Sequence, residues 1–287
     1  MSSVVFLFAN FHKKCISLIC IYIFQLKMSK KIVAIGWWEN WRLKEWTRLP
    51  YETGPMDQEI IRLTGKEHPN FLLIAHSQSL ERQETYFEIM KDIYNWRYGC
   101  ECKVLKSDKL LDKEYVQNLM DWADIVYEWG WDTLSMIALW KETWFDEILK
   151  KARESWKVMC GVSAWANCWF KKCSSDSLRA KYWSNLPMIS VNCLWLIDWL
   201  FVPHSDEPGR QESVKDLLKG EIWFLLSNCS ALEIIDDQYR LITSDATYHW
   251  IEKAFWKKAY RKDNKYIEEI IDDSPEFKNL SELYSKI

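Results

Sequence analysis

From Lys31 onward the chain alternates short apolar runs with longer stretches of helical spacing. KIVAIG, NFLLIAH, CECKVL, ADIVYE and KVMCGV are short enough to read as strands, the last ending at Ser163. Between them, MDQEIIRLTG (closed by Gly65), residues 80–95, residues 113–122 and residues 132–154, in two pieces, repeat apolar positions as helices do. Strands alternating with helices predict a mostly parallel sheet covered on both faces. After Leu200 come a helix, RQESVKDLLKG, and several short strands. No internal repeat, low-complexity tract or linker interrupts the pattern, so residues 28–287 read as a single α/β domain.

Residues 1–27 break this rhythm. CISLICIYIFQL is an apolar run of about a dozen residues, short of the roughly 18 that indicate a membrane span. It resembles a signal-peptide core without the small-residue cleavage site that should follow. Met28-Ser-Lys-Lys then leads directly into the first strand. Met28 is therefore read as the natural start, with a membrane anchor over residues 1–27 as the alternative.

Charge changes the picture little. The 38 basic and 41 acidic residues leave a net charge of -3, without a long basic run, and no nucleic-acid partner is expected. Nine cysteines, an odd number at scattered positions, lack zinc-ligand spacing and read as reduced thiols of a cytoplasmic protein. No metal or organic cofactor is expected, and no membrane partner.

Two counts do change it. The chain has 19 tryptophans and 8 glycines, where average usage predicts roughly 20 glycines. The tryptophans cluster where glycine is wanted. Trp37 and Trp38 follow the first strand in AIGWWENWR, and Trp129 and Trp131 follow another in VYEWGWDT. Trp144 and Trp156 stand where helices should end, a preferred glycine position. Only Trp122, Trp140 and Trp169 sit in helical apolar patterns, which leaves sixteen positions that would suit glycine. A gene whose UGA codons specify glycine, translated with a table in which UGA is tryptophan, would produce this distribution. The alternative is a truly tryptophan-rich protein with aromatic binding platforms.

The stretch GVSAWANCWF, after the apolar KVMC, nearly spells the strand–turn–helix elbow G-x-S-x-G, with Trp165 at the last glycine. Together with KKIVAIGWWENWR, IIRLTGKEHPNFLLIAHSQS, ADIVYEWGWDTLSM and LIDWLFVPHSDEPGR, in order and spacing, it resembles the serine peptidase family of aspartyl dipeptidase (peptidase E) and cyanophycinase. The resemblance runs from about Met28 to the end. It implies a flavodoxin-like, three-layer α/β sandwich related to class I glutamine amidotransferases, and a hydrolase acting on small, aspartyl-containing peptides.

It also implies roles for particular residues. Ser163 is the expected nucleophile, since a serine hydroxyl needs an elbow to expose it and a base to activate it; the plain alternative is a serine capping the following helix. His204, one of five histidines, lies in FVPHSDEPGR, which resembles the family's catalytic-histidine segment, with His76 in reserve. The family's third member, a glutamate after a late strand, falls on Asn228 in FLLSNCSALEI, while Glu233 is near in sequence but can lie on the other face. Asparagine can orient a histidine but brings no negative charge. Backbone N–H groups of Ala164 and of the Gly130–Trp131 loop are the expected oxyanion donors, a loop that an indole at 131 would crowd. Arg210 matches a family arginine and suits a substrate carboxylate, although a surface arginine at a helix start is equally in keeping with its place. Glu39 and Arg42 lie in the first tryptophan-rich loop without an assigned role. A non-catalytic binding member of the same fold, favoured by Asn228, is the rival reading.

Overall fold

The computed structural model describes residues 29–36, 43–44, 47–48, 53–182, 185–217, 221–244, 254–271 and 275–284. Residues 1–27, Glu39 and Arg42 lie outside these.

The apolar runs become strands, four of them buried inside the sheet and one, Glu101–Leu105, part-exposed at its edge. β1 (Lys31–Ile35), β2 (Asn70–Ile74), β3 (Glu101–Leu105), β4 (Ile125–Trp129) and β5 (Val158–Val162) lie parallel in the order β3-β2-β4-β5-β1. The periodic segments between them form α1 (Gly54–Thr64), α2 (Leu80–Tyr98), α3 (Lys113–Trp122), α4 (Thr133–Thr143) and α5 (Phe145–Arg153). Ser79, Asp112 and Asp132 cap α2, α3 and α4 with their side chains, satisfying backbone donors that have no helical partner.

Beyond β5 the chain builds α6 (Ala164–Cys168), β6 (Phe170–Ser175), α7 (Ser177–Tyr182), β7 (Ile189–Asn192), β8 (Ile197–Val202), α8 (Arg210–Leu217) and β9 (Trp223–Leu226). It ends in β10 (Ser230–Ile235), β11 (Gln238–Thr243), β12 (Trp256–Lys262), β13 (Lys265–Ile271), β14 (Lys278–Asn279) and α9 (Ser281–Tyr284). Antiparallel β10, β11 and β14 extend the first sheet beyond β1 to eight strands. The others form a second, six-stranded sheet in the order β13-β12-β9-β8-β6-β7.

The result is a mixed α/β fold with a large, mostly parallel sheet flanked by helices. Residues from α1 and α2 cover one face, packing Met56, Ile60, Phe87 and Tyr94 on Val33, Ile35, Phe71 and Leu73. On the other face α3, α4 and α5 share an apolar cluster with the second sheet, through Phe170, Phe201 and Phe224. The second sheet is the main departure from the pattern read above. Apolar spacing around Trp169 predicts a helix through this region, but the helix after Ser163 is one turn long and Phe170 already begins a strand. Short apolar runs do not by themselves separate a buried strand from a buried helix. Among the described residues, no helix is long and apolar enough to cross a membrane.

Candidate active site

The site lies beyond the carboxyl end of β5, where open α/β sheets bind ligands. β5 is buried at every position and runs between β1 and β4, with Val162 opposite both Ile35 and Trp129. The backbone then turns sharply. Ser163 adopts φ 64° and ψ -122°, a conformation that disfavours a side chain, and its N–H is held by Ile35 O at 3.0 Å. α6 starts on the next residue, so the hydroxyl is lifted out of the sheet rather than spent as a cap: no side-chain capping bond is made by Ser163.

β8 and β9 are parallel neighbours, with Val202 opposite Leu225, so their carboxyl ends emerge side by side. His204 follows β8 at φ 54° and is 4% exposed. Asn228 follows β9. Ser163 Oγ lies 2.6 Å from His204 Nε2, and His204 Nδ1 lies 3.0 Å from Asn228 Oδ1. The chain of bonds is directional. With the serine hydroxyl donating to Nε2, the ring proton sits on Nδ1 and is donated to the amide oxygen. The structure thus brings Ser163, His204 and Asn228 into one line of hydrogen bonds.

Two acidic residues that the sequence reading did not single out complete this line. Asp206 Oδ1 accepts from Asn228 N–H at 2.6 Å, fixing the turn that presents the amide. Burial pushes the Asp206 carboxyl above its ordinary range, against the pull of that bond and of His204. Glu207 Oε1 lies 3.4 Å from His204 Nδ1, and Glu207 Oε2 accepts from Arg210 Nε at 3.3 Å. Burial works against the Glu207 carboxylate, but His204 and Arg210 outweigh it and hold its pKa down at about 2. The available signal was spacing: Glu207 follows His204 by three residues in a turn closed by Glu207 N–H to His204 O at 2.9 Å.

The other expected residues fall as follows. Ala164 is buried directly after Ser163. The register of β4 against β5 brings Gly130 and Trp131 to the level of the elbow, where Gln78 Nε2 holds Gly130 O at 3.3 Å. The Trp131 ring does not crowd this loop. It is 44% exposed and lies under the Arg82 guanidinium, 5.9 Å from the ring centre. Arg210 is engaged by Glu207, by Asp176 Oδ2 at 2.8 Å and by Met188 Sδ at 3.8 Å.

His76 and Glu233 are committed elsewhere. His76 accepts from Trp140 Nε1 at 3.1 Å and donates to Leu105 O at 2.8 Å, so both ring nitrogens are used. Glu233 stands opposite Val33 on the α1 face of the sheet, where Arg240 Nε donates to it at 2.5 Å. Burial and the neighbouring Glu59 raise its pKa to about 8. Alternation along β10 therefore does separate Glu233 from the histidine.

Known proteins resemble this chain as a whole. The chain is 28% identical over 210 residues to the uncharacterized peptidase YgaJ of Bacillus subtilis (strain 168), covering 72% of this chain and 83% of that one. The crystal structure of a peptidase from an acI-B1 Actinobacterium has a TM-score of 0.57 at 17% identity, covering 89% of this chain and 99% of its own. A candidate peptidase E protein from Listeria monocytogenes EGD-e has a TM-score of 0.50 at 14% identity, covering 75% of this chain and 98% of its own. At such identities these two structures speak for the fold alone. The model of peptidase family S51 matches residues 51–242, well over half of the chain. The chain is therefore a hydrolase that belongs to peptidase family S51.

Proposed function

We propose that the chain is a serine-type, dipeptidase-like enzyme in which Ser163 is the nucleophile, His204 the general base and acid, and Asn228 the residue that orients the imidazole. The observation that carries this reading is the 2.6 Å contact between Ser163 Oγ and His204 Nε2, made by a serine held at a positive φ. Such strain is kept where the surroundings enforce it, and it accompanies function more often than packing.

The steps follow from the contacts. As Ser163 Oγ bonds to the carbonyl carbon of a peptide, its proton passes to His204 Nε2. The carbonyl oxygen becomes an oxyanion, received by the N–H of Ala164 and the Gly130–Trp131 loop; one such donor is worth about 2.7–4 kcal/mol in comparable enzymes. The C–N bond then breaks and Nε2 returns the proton to the leaving amine. Water, deprotonated by the same nitrogen, releases the acyl group and restores Ser163.

The substrate class we favour is a small peptide with an aspartyl residue. The sequence resemblance to aspartyl dipeptidase supports it, as does a guanidinium six residues after the histidine. Arg210 would take the substrate carboxylate in exchange for Asp176, whose side chain is 38% exposed. A cytoplasmic setting suits buried cysteines that form no disulfide, such as Cys100, Cys160 and Cys173.

One observation favours the non-catalytic reading: Asn228 brings no charge, and among the described residues its Nδ2 has no hydrogen-bond partner. A fluorophosphonate probe separates the two. Labelling of Ser163 in the wild type, lost in Ser163→Ala together with hydrolysis of Asp-X dipeptides, is the expected result. An unlabelled wild type, or full hydrolysis by the alanine variant, would return the chain to a binding role.

A further inference from the structure

The line Ser163–His204–Asn228 lacks a carboxylate, yet acyl transfer passes through a positively charged imidazolium that a neutral amide stabilises poorly. We infer that Glu207 supplies this charge as a positioning residue: its carboxylate faces His204 Nδ1 beside the Asn228 amide and holds the imidazolium during the reaction. The inference rests on the acyl-transfer reading above.

Four observations carry it. Glu207 Oε1 lies 3.4 Å from His204 Nδ1, next to the 3.0 Å contact of Asn228 Oδ1, so one ring nitrogen has both an amide oxygen and a carboxylate oxygen within reach. The two Glu207 oxygens are divided, Oε1 toward the histidine and Oε2 toward Arg210 Nε at 3.3 Å. Arg210 is fixed from behind by Asp176 at 2.8 Å, which makes a chain of alternating charge ending on the imidazole. The turn from His204 to Glu207 and the next from Glu207 to Arg210, closed by backbone bonds of 2.9 and 3.1 Å, keep the three side chains together. The low pKa of Glu207 agrees, since the carboxylate stays ionised throughout the range in which a histidine base works.

The other acidic group near the ring does not fill the role. Asp206 spends Oδ1 on the Asn228 backbone, and its Oδ2 has no hydrogen-bond partner among the described residues. It shapes the turn carrying the amide, while Glu207 faces the ring.

A purely structural role for Glu207, as an ion-pair partner of Arg210, predicts different behaviour. The deciding set is Glu207→Gln, Asn228→Asp and the double variant, each measured for the rate of fluorophosphonate labelling at Ser163 and for kcat/KM on an Asp-X dipeptide. Losing a charge-assisted contact to a catalytic histidine should lower both in Glu207→Gln by about ten- to a hundredfold. Asn228→Asp places a carboxylate on the same Nδ1 and should restore most of that loss in the double variant, the coupling expected of groups serving one atom. Glu207→Asp, which keeps the charge, should fall between. An unchanged rate in Glu207→Gln, or an equal loss with Asn and with Asp at 228, would overturn the inference and leave the acyl-transfer reading standing. Absence of labelling in the wild type would instead remove that reading, and this inference with it. If Glu207→Gln does not fold, Asn228→Asp alone still decides: it should change the labelling rate less than about twofold where Glu207 already supplies the charge, and a tenfold gain would count against it.

Discussion

Ser163 and His204 meet at 2.6 Å from chain segments 41 residues apart, and both hold a positive φ, 64° and 54°. Each sits at the first sharp turn after a buried strand, so the strain is a consequence of exposing a side chain at the end of a sheet. It should be measurable at the serine. Alanine at 163 keeps a Cβ in this backbone and glycine does not. Ser163→Gly is expected to be more stable than Ser163→Ala by about 1 kcal/mol, with both variants inactive. Equal urea midpoints for the two would show that the elbow is unstrained.

A positive φ also appears where it serves no chemistry. Trp144 joins α4 to α5 at φ 63° with its ring 68% exposed, and Trp195 takes φ 58° at 59% exposure. Glycine fits both backbones without a Cβ penalty and gives up only the minor part of each ring that is covered. Trp144→Gly should raise the unfolding free energy by about 1 kcal/mol. Trp195→Gly should gain less, because Lys171 Nζ lies 4.3 Å from the centre of that ring and a cation–π contact is worth about 0.5–1 kcal/mol at an exposed site. Thermal unfolding of the two variants checks both, and a loss of stability at Trp144 would refute the argument.

Glycine would suit the backbone at these two positions, but not at every one of the sixteen. Trp199, Trp223 and Trp256 belong to the sixteen that would suit glycine, yet they are buried in strands, and Trp199 stacks on Phe170 with ring centres 6.2 Å apart. Replacing Trp223 or Trp256 by glycine would leave a large cavity, worth about 3–5 kcal/mol. The two groups answer a direct measurement, the mass of the peptides from the natural source. Val158–Lys171 with glycine at 165 and tryptophan at 169 would support the decoding account; tryptophan at both would end it for the elbow.

Much of this was legible in the chain. Alternation of short apolar runs with helical spacing located the five parallel strands of the first sheet, four of which are buried and therefore written almost wholly in apolar residues. GVSAWANCWF and FVPHSDEPGR, through their resemblance to segments of the family, pointed to Ser163 and His204, and the structure places these two side chains 2.6 Å apart. The second sheet was legible only as short strands after Leu200; its strand at Phe170–Ser175 was missed, since WFKKCSS carries no period that distinguishes a strand from a helix. Glu207 was missed because its role is defined by a turn. Three residues of separation places it beside His204 only when the backbone of 204–207 closes on itself, and no side-chain pattern announces that.

His76 allows a test of the fold through pH. Burial lowers its pKa to about 3, from the usual value of about 6.5. As pH falls through 6.5 the unfolded chain takes up a proton that the folded chain refuses until about 3. Stability is therefore full above pH 6.5 and declines on acidification, by up to about 1.4 kcal/mol per pH unit from this group. His76→Gln can still accept from Trp140 and donate to Leu105 O but does not titrate. Its unfolding free energy should fall less than that of the wild type between pH 6.5 and 4. Parallel pH dependences would mean that His76 is protonated, or solvated, in the native state.

The pairing of Arg210 with Asp176 bears on substrate choice. Arg210 is 14% exposed and Asp176 38%, with 2.8 Å between Nη2 and Oδ2, so the carboxylate on the solvent side is the one that can leave. If a substrate aspartyl group takes its place, the two compete for one guanidinium, and removing the internal competitor favours the substrate. Asp176→Asn should lower KM for Asp-X dipeptides by about two- to tenfold while kcat changes little, because the amide keeps the shape of the carboxylate but gives up its charge. Dipeptides with an uncharged first residue should show no such gain. A rise in KM for Asp-X would mean that Asp176 positions Arg210 for work on Glu207 alone, and that the acidic side chain of the substrate is read elsewhere.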